Sequence, residues 1–429
     1  MSALLRLALA SAWNRGASLA LTCLSIAVAA TLSLAVTRLG DSARQGFGQA
    51  VSGVDLVVGP RGSALQLLLH ALFQLGEAPA TLRWDSYLKL AAEPQVAWSL
   101  PLALGDFHRG YPVIATHPAC FLHLRDAAGR PLSFAAGRPF EARFEAVVGA
   151  EVARRLGYRP GDSLALTHGS APLDDRHDDE GHDSPHSHGD KPFRVVGVLA
   201  PTGTPVDRGL LIGLDSLTAL HLDWQGGAPV AGLRIPAAQA GRFDLTPRTL
   251  DAVLLGLHRR TDALRLQRQI AEAPGEPLMA VLPGPTLDAL WQRVGGVERS
   301  LQALGGLITV VSLAGLAAVI LAGLGERRRE LAVLRAVGAG VRHLVALLVM
   351  EGLLLTGTGL AAGLILVELG GAVLAPWLSM EYGLIWRAGP SARDGAVLAA
   401  FLLAGTLASL LPAWHACRLS LADGLVPRL

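Results

Sequence analysis

Lysine is the residue type that this sequence most nearly lacks. Lys89 and Lys191 are the only two lysines, so arginine supplies almost all of the 37 basic side chains. Neither lysine lies in a G-x-x-x-x-G-K-[ST] context, and the sequence therefore contains no phosphate-binding loop of the type used by nucleoside triphosphatases. It also contains no G-x-S-x-G or H-E-x-x-H motif. We therefore expect a chain that is not an enzyme.

Cysteine, aromatic and charged residues are also scarce. The three cysteines, Cys23, Cys120 and Cys417, fall in three different predicted regions, so no disulfide framework is expected. Aromatic residues make up 5% of the chain and the net charge is only +2, which argues against nucleic acid as a partner. Charged residues amount to 17% against 51% hydrophobic residues, with a mean hydropathy of +0.41. This composition predicts several membrane spans.

Four apolar segments are long enough to cross a bilayer as helices, which takes about 20 residues. The first apolar segment lies at the C-terminal end of the region 1–38, and the other three are 300–324, 344–375 and 396–414. The arginine-rich loop 325–343 predicts, by the positive-inside rule, that this loop, the N-terminus and the tail 415–429 are cytoplasmic. Residues 39–299 and the short loop 376–395 then lie outside. The first span is longer than a signal-peptide core, which favours an uncleaved anchor.

The outside region 39–299 has the pattern of an α+β domain. Short apolar runs such as VDLVVG, EAVVGA and FRVVGVLAP predict strands, and residues 63–75 and 261–272 have helical periodicity. Because no regular βαβ alternation appears, we expect small mixed sheets rather than a doubly wound sheet. The predicted fold is a membrane protein with four transmembrane α-helices and a large α+β extracytoplasmic domain between helices 1 and 2.

Within the spans and the outside region, three side chains have a plain interpretation. His70, in the apolar helix predicted at 63–75, is expected to be a buried, hydrogen-bonded histidine. Glu351 is expected at an interface or within a dimer, and Glu368 is expected to be solvated near the outer end of its span.

The cytoplasmic loop GERRRELAVLRAVGAGVRH combines charge with an apolar stripe. Leu331, Leu334 and Val337 recur at three-residue steps beside the arginines, as on one face of a helix. A positive-inside anchor would account for the arginines alone. The stripe, and the glycines Gly338 and Gly340 that let the chain turn back, favour a helix that docks on a cytoplasmic partner.

This loop resembles the coupling-helix signature of the MacB/LolC/FtsX-type ABC permeases. The matching segment is ERRRELAVLRAVGA, residues 326–339. The resemblance extends to the first and third spans, to the C-terminal LPAWHACRLSLADGL, and to VVGAEVARRLGYRPGDSLAL and FRVVGVLAPTGTPVDRGLLI outside. Leu421 and Gly424 depart from the usual proline and alanine. GVDLVVGPRGSALQLLLHALF, residues 53–73, is similar to a poorly characterised branch that carries a His-rich insert in the periplasmic domain.

The resemblance implies a mechanotransmission machine. Such permeases sit in the bacterial inner membrane as homo- or heterodimers, each copy binding one cytoplasmic ABC ATPase, so ATP acts through a partner and no cofactor binds the chain directly. The residues implied to couple to the ATPase are Glu326, Arg327, Arg328, Glu330, Leu334, Arg335 and Gly338. The implied cargo is lipophilic, lipoprotein-like or exported, handled in the periplasm with the bilayer and an accessory protein as further partners.

The segment HDDEGHDSPHSHGD, within the loop 174–191, carries four closely spaced histidines. These are His177, His182, His186 and His188. Imidazole and carboxylate side chains suit Zn, Ni or Cu, so we treat the four as candidate ligands for zinc. The loop has almost no apolar residues, which favours a mobile, solvated, metal-capturing or sensing segment over a preformed site. A purely passive loop is the alternative.

Two other functions fit the same sequence. The chain could be the permease of a zinc- or metal-homeostasis or metallophore-linked ABC system, with the histidine loop as its metal sensor. It could instead be an FtsX-like scaffold that regulates a periplasmic hydrolase. Zinc-dependent ATPase activity would favour the first of these, and co-purification of a hydrolase the second. The sequence gives neither the substrate nor the direction of transport.

Overall fold

The computed structural model describes most of the chain outside the termini and a few internal segments. The described residues are 16–76, 80–168, 188–225, 228–230, 233, 235–326, 337, 340–382, 386 and 388–418. They divide into a helical unit, drawn from residues 1–43, 294–379 and 384–429, and an α+β domain, drawn from residues 44–293 and 380–383. The protein is a four-span membrane protein with its large α+β domain between the first and second spans.

The helices of the described residues range from one turn to more than forty residues. Labelled α1 to α10 in chain order, they are Gly16–Ala50, Ala64–Phe73, Trp84–Ala91, Cys120–His123, Ala150–Leu156, Leu214–Leu220, Ala263–Glu272, Pro283–Glu326, Val341–Tyr382 and Ala392–Arg418. Short 3-10 helices occur at Pro205–Arg208, Ala237–Arg242 and Arg260–Asp262.

Four of these helices, α1, α8, α9 and α10, are long and apolar enough to cross a membrane. Each extends beyond the apolar segment recognised in the sequence, as in α8, which begins at Pro283 rather than near residue 300. Hydropathy identifies only the lipid-compatible part of a helix, whereas backbone hydrogen bonding continues through its polar ends.

Small residues allow the helices of the helical unit to approach closely. On α9, Gly359 and Gly363 face α1, where a Cβ at Gly363 would lie 2.8 Å from the Ala27 carbonyl oxygen. On the neighbouring pair, Gly352 of α9 faces Ser409 of α10, and Gly405 of α10 faces Thr356 of α9. Small residues four apart are the pattern by which membrane helices pack, because lipid gives no hydrophobic drive for association.

The strands of the α+β domain are short. Labelled β1 to β16, they are Leu56–Pro60, Leu82–Arg83, Val96–Leu102, Asp106–His108, Tyr111–Thr116, Phe134–Gly137, Glu145–Val148, Ser163–Leu164, Thr167–His168, Phe193–Leu199, Leu210–Gly213, Trp224–Gln225, Ala228–Pro229, Thr249–Leu250, Ala252–Leu257 and Leu278–Val281.

Two main sheets organise these strands. A four-stranded antiparallel sheet has the order β16-β1-β15-β3, and an eight-stranded sheet has the order β6-β10-β7-β11-β5-β4-β9, with β8 paired to β10. In the larger sheet β10 is parallel to β7 and β11 is parallel to β5. The expectation of mixed sheets is therefore confirmed, although the second sheet is larger than expected.

The core of the domain is aliphatic and lies on the sheet faces. In β1, all five residues are buried, and every residue of β11 is buried as well. Helix α2 packs its leucines into the same core, with His70 only 8% exposed and its Nδ1 3.0 Å from the Gly76 carbonyl oxygen. The interpretation of His70 as a buried, hydrogen-bonded histidine is confirmed.

Candidate functional site

One group of polar side chains collects at the β4–β9 edge of the larger sheet. A tight hairpin forms β4 and β5, with Arg109 and Gly110 at φ angles of 48° and 79° between the pair His108 and Tyr111. Two successive residues of positive φ form the turn that best matches strand twist. The other side of β4 pairs antiparallel with β9, which sets Asp106 directly opposite His168.

His188 enters this group from the segment that precedes β10. Its backbone amide donates to the Leu166 carbonyl at 2.9 Å, and its ring lies 4.2 Å from the Trp224 ring, centroid to centroid. Lys191 follows within the same turn and is completely buried. Its ammonium group contacts Asp223 at 2.5 Å and the Leu220 carbonyl at 2.9 Å.

His221 enters from the C-terminal end of α6. Its Nδ1 lies 3.1 Å from the Leu217 carbonyl oxygen one turn earlier. Because a carbonyl can only accept, Nδ1 carries a proton, and in the neutral form of the ring the lone pair is then on Nε2. That Nε2 lies 3.5 Å from Asp106 Oδ1.

Four side chains come together at this buried edge of the sheet. We call them the Asp106 cluster: Asp106, His168, His188 and His221. His168 Nδ1 donates to Asp106 Oδ1 at 2.7 Å. One donor atom from each of Asp106, His188 and His221 lies within 4.8 Å of the other two. Asp106 is 2% exposed and His188 is 1% exposed, so water has little access to either.

Several polar atoms of the cluster have no hydrogen-bond partner among the described residues. They are Asp106 Oδ2, His188 Nδ1, His188 Nε2 and His221 Nε2. Buried polar atoms are normally paired, because loss of hydration without a replacement costs about 1–3 kcal/mol each. Atoms without partners on three neighbouring side chains make this cluster a candidate binding site.

The charges of the cluster favour the metal-binding protonation states. Burial lowers the pKa of His188 to about 4, which keeps its imidazole neutral. Burial by itself would raise the pKa of Asp106, but the hydrogen bond from His168 helps to hold it at about 2. The hydrogen bond to Asp106 raises the pKa of His168. A carboxylate and neutral imidazoles are the forms that coordinate metals.

The predicted metal ligands are only partly described. His177, His182 and His186 lie outside the described residues, and His188 lies in the Asp106 cluster. The expectation of a mobile, solvated segment is wrong for His188 and Lys191, which are 1% and 0% exposed. The physical reason is that backbone hydrogen bonds, the ring contact of His188 with Trp224 and the Lys191–Asp223 ion pair hold this end of the loop.

Sequence reasoning missed Asp106, His168 and His221. Each stands alone among unrelated neighbours, and Asp106 and His168 are 62 residues apart. The one available signal was local: HLDW, residues 221–224, places a histidine, a carboxylate and a tryptophan directly after a short helix.

The predicted ATPase-coupling residues fall almost entirely outside the described part of the chain. Glu326 is the last residue of α8. The other six lie outside the described residues: Arg327, Arg328, Glu330, Leu334, Arg335 and Gly338. The next helix among the described residues, α9, begins at Val341. The coupling segment therefore lies, in sequence, between the second and third membrane helices.

A second polar group, the Arg38 cluster, lies inside the helical unit and consists of Arg38, Glu368, Trp386 and Asp394. Arg38 is 7% exposed; its Nε donates to Asp394 at 3.0 Å and its Nη1 to Glu368 at 2.9 Å. Its guanidinium also lies 5.9 Å from the Trp386 ring. Glu368 was expected to be solvated, and its side chain is 30% exposed. The expectation missed its partners, because Arg38 and the Gly389 amide also bind its carboxylate.

Asp394 has a structural task besides this ion pair. Its Oδ2 accepts from the Ser391 amide at 2.7 Å, and its own amide donates to Ser391 Oγ at 3.1 Å. This reciprocal pair is a capping box for the start of α10. Glu351, in α9, is buried at 6% exposure.

Two family models match the chain in sequence order. A MacB-like periplasmic core domain matches residues 19–237, and an FtsX-like permease C-terminal region matches residues 303–421. The first covers the α+β domain up to the 3-10 helix Ala237–Arg242, and the second covers most of α8 together with α9 and α10.

Similar proteins include macrolide export ATP-binding/permease proteins MacB from Brucella abortus (strain 2308) and Brucella melitensis biotype 1 (strain 16M). Each is 26% identical over 238 residues, which are 53% of this chain and 32% of the relative. The match thus spans about a third of the length of these relatives.

Solved structures with a similar chain trace include the periplasmic region of MacB from Actinobacillus actinomycetemcomitans, with a TM-score of 0.31 and 9% identity, covering 56% of this chain and 95% of that one. The extracellular domain of the noncanonic ABC-type transporter YknZ from Gram-positive bacteria gives a TM-score of 0.27 and 12% identity, covering 53% of this chain and 98% of that one.

Proposed function

The chain belongs to the family of ABC permeases that join a MacB-like periplasmic core domain to an FtsX-like C-terminal region, and from this premise we propose its role. It is the membrane subunit of an ATP-driven complex. ATP hydrolysis by a separate cytoplasmic ATPase subunit drives movements of the periplasmic domain, which handles a lipophilic, lipoprotein-like or exported substrate. The observation that carries the proposal is the order of the two matched regions: a MacB-like periplasmic core domain over residues 19–237, followed by an FtsX-like permease region over residues 303–421.

The packing of the helical unit supports transmission of a movement from one helix to the others. Helix α9 follows the predicted coupling segment. It packs closely against α1 at Gly363 and against α10 at Gly352. The Arg38 cluster joins the same three helices through ion pairs. A displacement of α9 would therefore move α1 and α10 with it, since closely packed helices shift as units rather than deform.

The membrane arrangement is part of the proposal. The arginine-rich loop between α8 and α9 would face the cytoplasm of a bacterium, with both termini on that side of the inner membrane. The α+β domain would then be periplasmic. A second permease copy, identical or different, would complete a complex with two ATPases.

The test is to place a charge on the predicted docking face. Leu334→Asp and Gly338→Trp should abolish stimulation of the partner ATPase, because each disrupts the apolar stripe or the turn of the coupling segment. Ala332→Asp adds the same charge two residues away, on the opposite face of the predicted helix, and should retain most of the stimulation. The measurement is ATPase activity of the reconstituted complex, with size-exclusion chromatography as the check on folding. Full stimulation by Leu334→Asp and Gly338→Trp would refute the coupling role.

A second candidate function is favoured by the Asp106 cluster. A permease of a zinc- or metal-homeostasis system, or of a metallophore-linked one, would need a metal-responsive element on its periplasmic side, and this cluster offers donors for one. Zinc added to the reconstituted complex should then change its ATPase rate. An unchanged rate across a zinc titration would remove this candidate and leave the lipophilic or exported substrate.

A further inference from the structure

The ligand chemistry of the Asp106 cluster decides what could occupy it. One carboxylate and two imidazoles offer donor atoms within 4.8 Å of one another, and the site contains no sulfur donor among the described residues. Hard cations such as Mg²⁺ and Ca²⁺ bind mostly oxygen ligands, whereas imidazole suits zinc, copper and nickel. The donor set therefore favours a borderline transition metal over a hard cation.

The distances suit a tetrahedral ion. Metal–ligand distances of about 2.0–2.1 Å in a tetrahedron require donor atoms about 3.4 Å apart. His221 Nε2 and Asp106 Oδ1 are already 3.5 Å apart. His188 needs only a side-chain adjustment within the 4.8 Å limit to complete three ligands.

Two of the candidate metal ligands are held in place by hydrogen bonds to neighbouring groups. His221 donates its Nδ1 proton to the Leu217 carbonyl, which leaves Nε2 for a metal. His168 donates to Asp106 Oδ1, which orients the carboxylate. Metal-binding histidines and carboxylates are held in this way in proteins, and the loss of such an outer partner typically weakens metal binding 10- to 100-fold.

We propose that Asp106, His188 and His221 bind one divalent transition-metal ion, with Zn²⁺ preferred, and that His168 orients Asp106. The ion would lie between one carboxylate oxygen of Asp106, one ring nitrogen of His188 and Nε2 of His221, which offer donor atoms within 4.8 Å of one another. Three protein ligands leave a fourth position for water. The site differs from a loose histidine tract because its donors come from β4, from the end of α6 and from the fixed segment before β10.

The ion would join three elements of the domain that the chain connects only at long range. Its binding would couple the position of the segment carrying His188 to the β4–β5 hairpin and to α6. This assignment concerns binding by the chain itself, so it stands or falls independently of the substrate of the ATP-driven cycle.

The experiment measures zinc bound to the full-length protein purified in detergent and stripped with a chelator. Wild type should bind one Zn²⁺ tightly. His188→Ala and His221→Ala should each weaken that binding at least 100-fold, and His168→Gln about 10-fold, as expected for an orienting residue. With Co²⁺ as a probe, wild type should show the visible absorption bands of a tetrahedral nitrogen and oxygen site, and His188→Ala should lose them.

Two matched variants separate this site from the loop and from folding defects. The triple variant His177→Ser, His182→Ser, His186→Ser should retain the tight ion and lose only weak binding. His258→Ala, at an exposed histidine, should bind as wild type does. Circular dichroism of each apo variant checks that the domain has folded, and Asp106→Asn provides a second ligand variant if one alanine variant fails to fold. The proposal would be overturned if the triple serine variant lost tight zinc binding, or if folded His188→Ala and His221→Ala retained it. It would also be overturned if the wild-type protein bound no Zn²⁺ tightly.

Discussion

Replacing Arg38 with methionine should destabilise the helical unit more than any other single change in the Arg38 cluster. The Asp394 carboxylate is fully buried and would keep only its capping contacts with Ser391. Removing one partner of a buried ion pair costs about 3–5 kcal/mol, because the other charge remains buried without compensation. Methionine keeps much of the length of the side chain, so the loss is mainly that of the charge and its hydrogen bonds.

The other members of the cluster should rank below Arg38, for reasons visible in their contacts. Asp394→Asn keeps an oxygen that can cap α10 and leaves Arg38 paired with Glu368, so we expect a loss of about 1–3 kcal/mol. Glu368 is 30% exposed, and Glu368→Gln should cost about 1 kcal/mol or less. In the double variant Arg38→Met, Asp394→Leu no fully buried charge is left unpaired, because Glu368 is 30% exposed and keeps the Gly389 amide. Much of the stability should therefore return, apart from the lost helix cap.

The assay is thermal unfolding of the purified full-length protein in one detergent, followed by circular dichroism and by the fraction that stays monodisperse. Arg393→Met is the matched control, because Arg393 is 59% exposed and its ion pair with Asp41 should contribute less than about 1 kcal/mol. The reasoning is refuted if Arg38→Met unfolds at the wild-type temperature, or if it costs no more than Glu368→Gln or Arg393→Met.

Three further predictions use the same unfolding assay. Gly363→Leu should overpack the contact between α9 and α1 and cost about 1–3 kcal/mol, whereas Gly357→Leu, on the same helix with open space around it, should be tolerated. Lys191→Met should cost about 3–5 kcal/mol by leaving Asp223 buried without its partner, and it should also weaken zinc binding by releasing the segment of the neighbouring histidine. Burial raises the pKa of Asp251 above its usual 3.8. The stabilising contribution of this group is therefore present at low pH and is lost as the pH rises through the raised value. Asp251→Asn should unfold at a higher temperature than wild type at pH 7, and this difference should shrink as the pH is lowered toward 4.

The membrane spans could be read from the sequence because the bilayer imposes a simple constraint. A helix that crosses it must be apolar for about 20 residues, and the four predicted segments fall within α1, α8, α9 and α10. The polar interior of the same unit could not be read in this way. Glu368 looked solvated because nothing local in the sequence identifies Arg38, 330 residues away, as its partner.

The strands of the α+β domain were predictable for a similar local reason. Runs of β-branched and aliphatic residues mark β1, β7 and β10, since strands buried on both faces need them. Their order in the sheets was not predictable, because pairing between distant strands depends on the whole chain. The register that sets Asp106 opposite His168 is a product of that order, and no spacing rule connects the two residues.

The Asp106 cluster shows why composition drew attention to the segment of His188 and to none of the other members of the cluster. A run of histidines is visible by eye, so His188 was among the candidates, but compositional reasoning treats every member of the run alike. The structure separates His188 from the others by its surroundings: a backbone bond to Leu166, a ring contact with Trp224 and the adjacent Lys191–Asp223 ion pair. The other two residues of the proposed site lie elsewhere in the domain: Asp106 in the β4–β5 hairpin and His221 at the end of α6. Metal affinity depends on donors held at fixed distances, and only the fold can fix them. A histidine-rich tract is therefore best tested at the residue where it joins the folded domain, and in this chain that residue is His188.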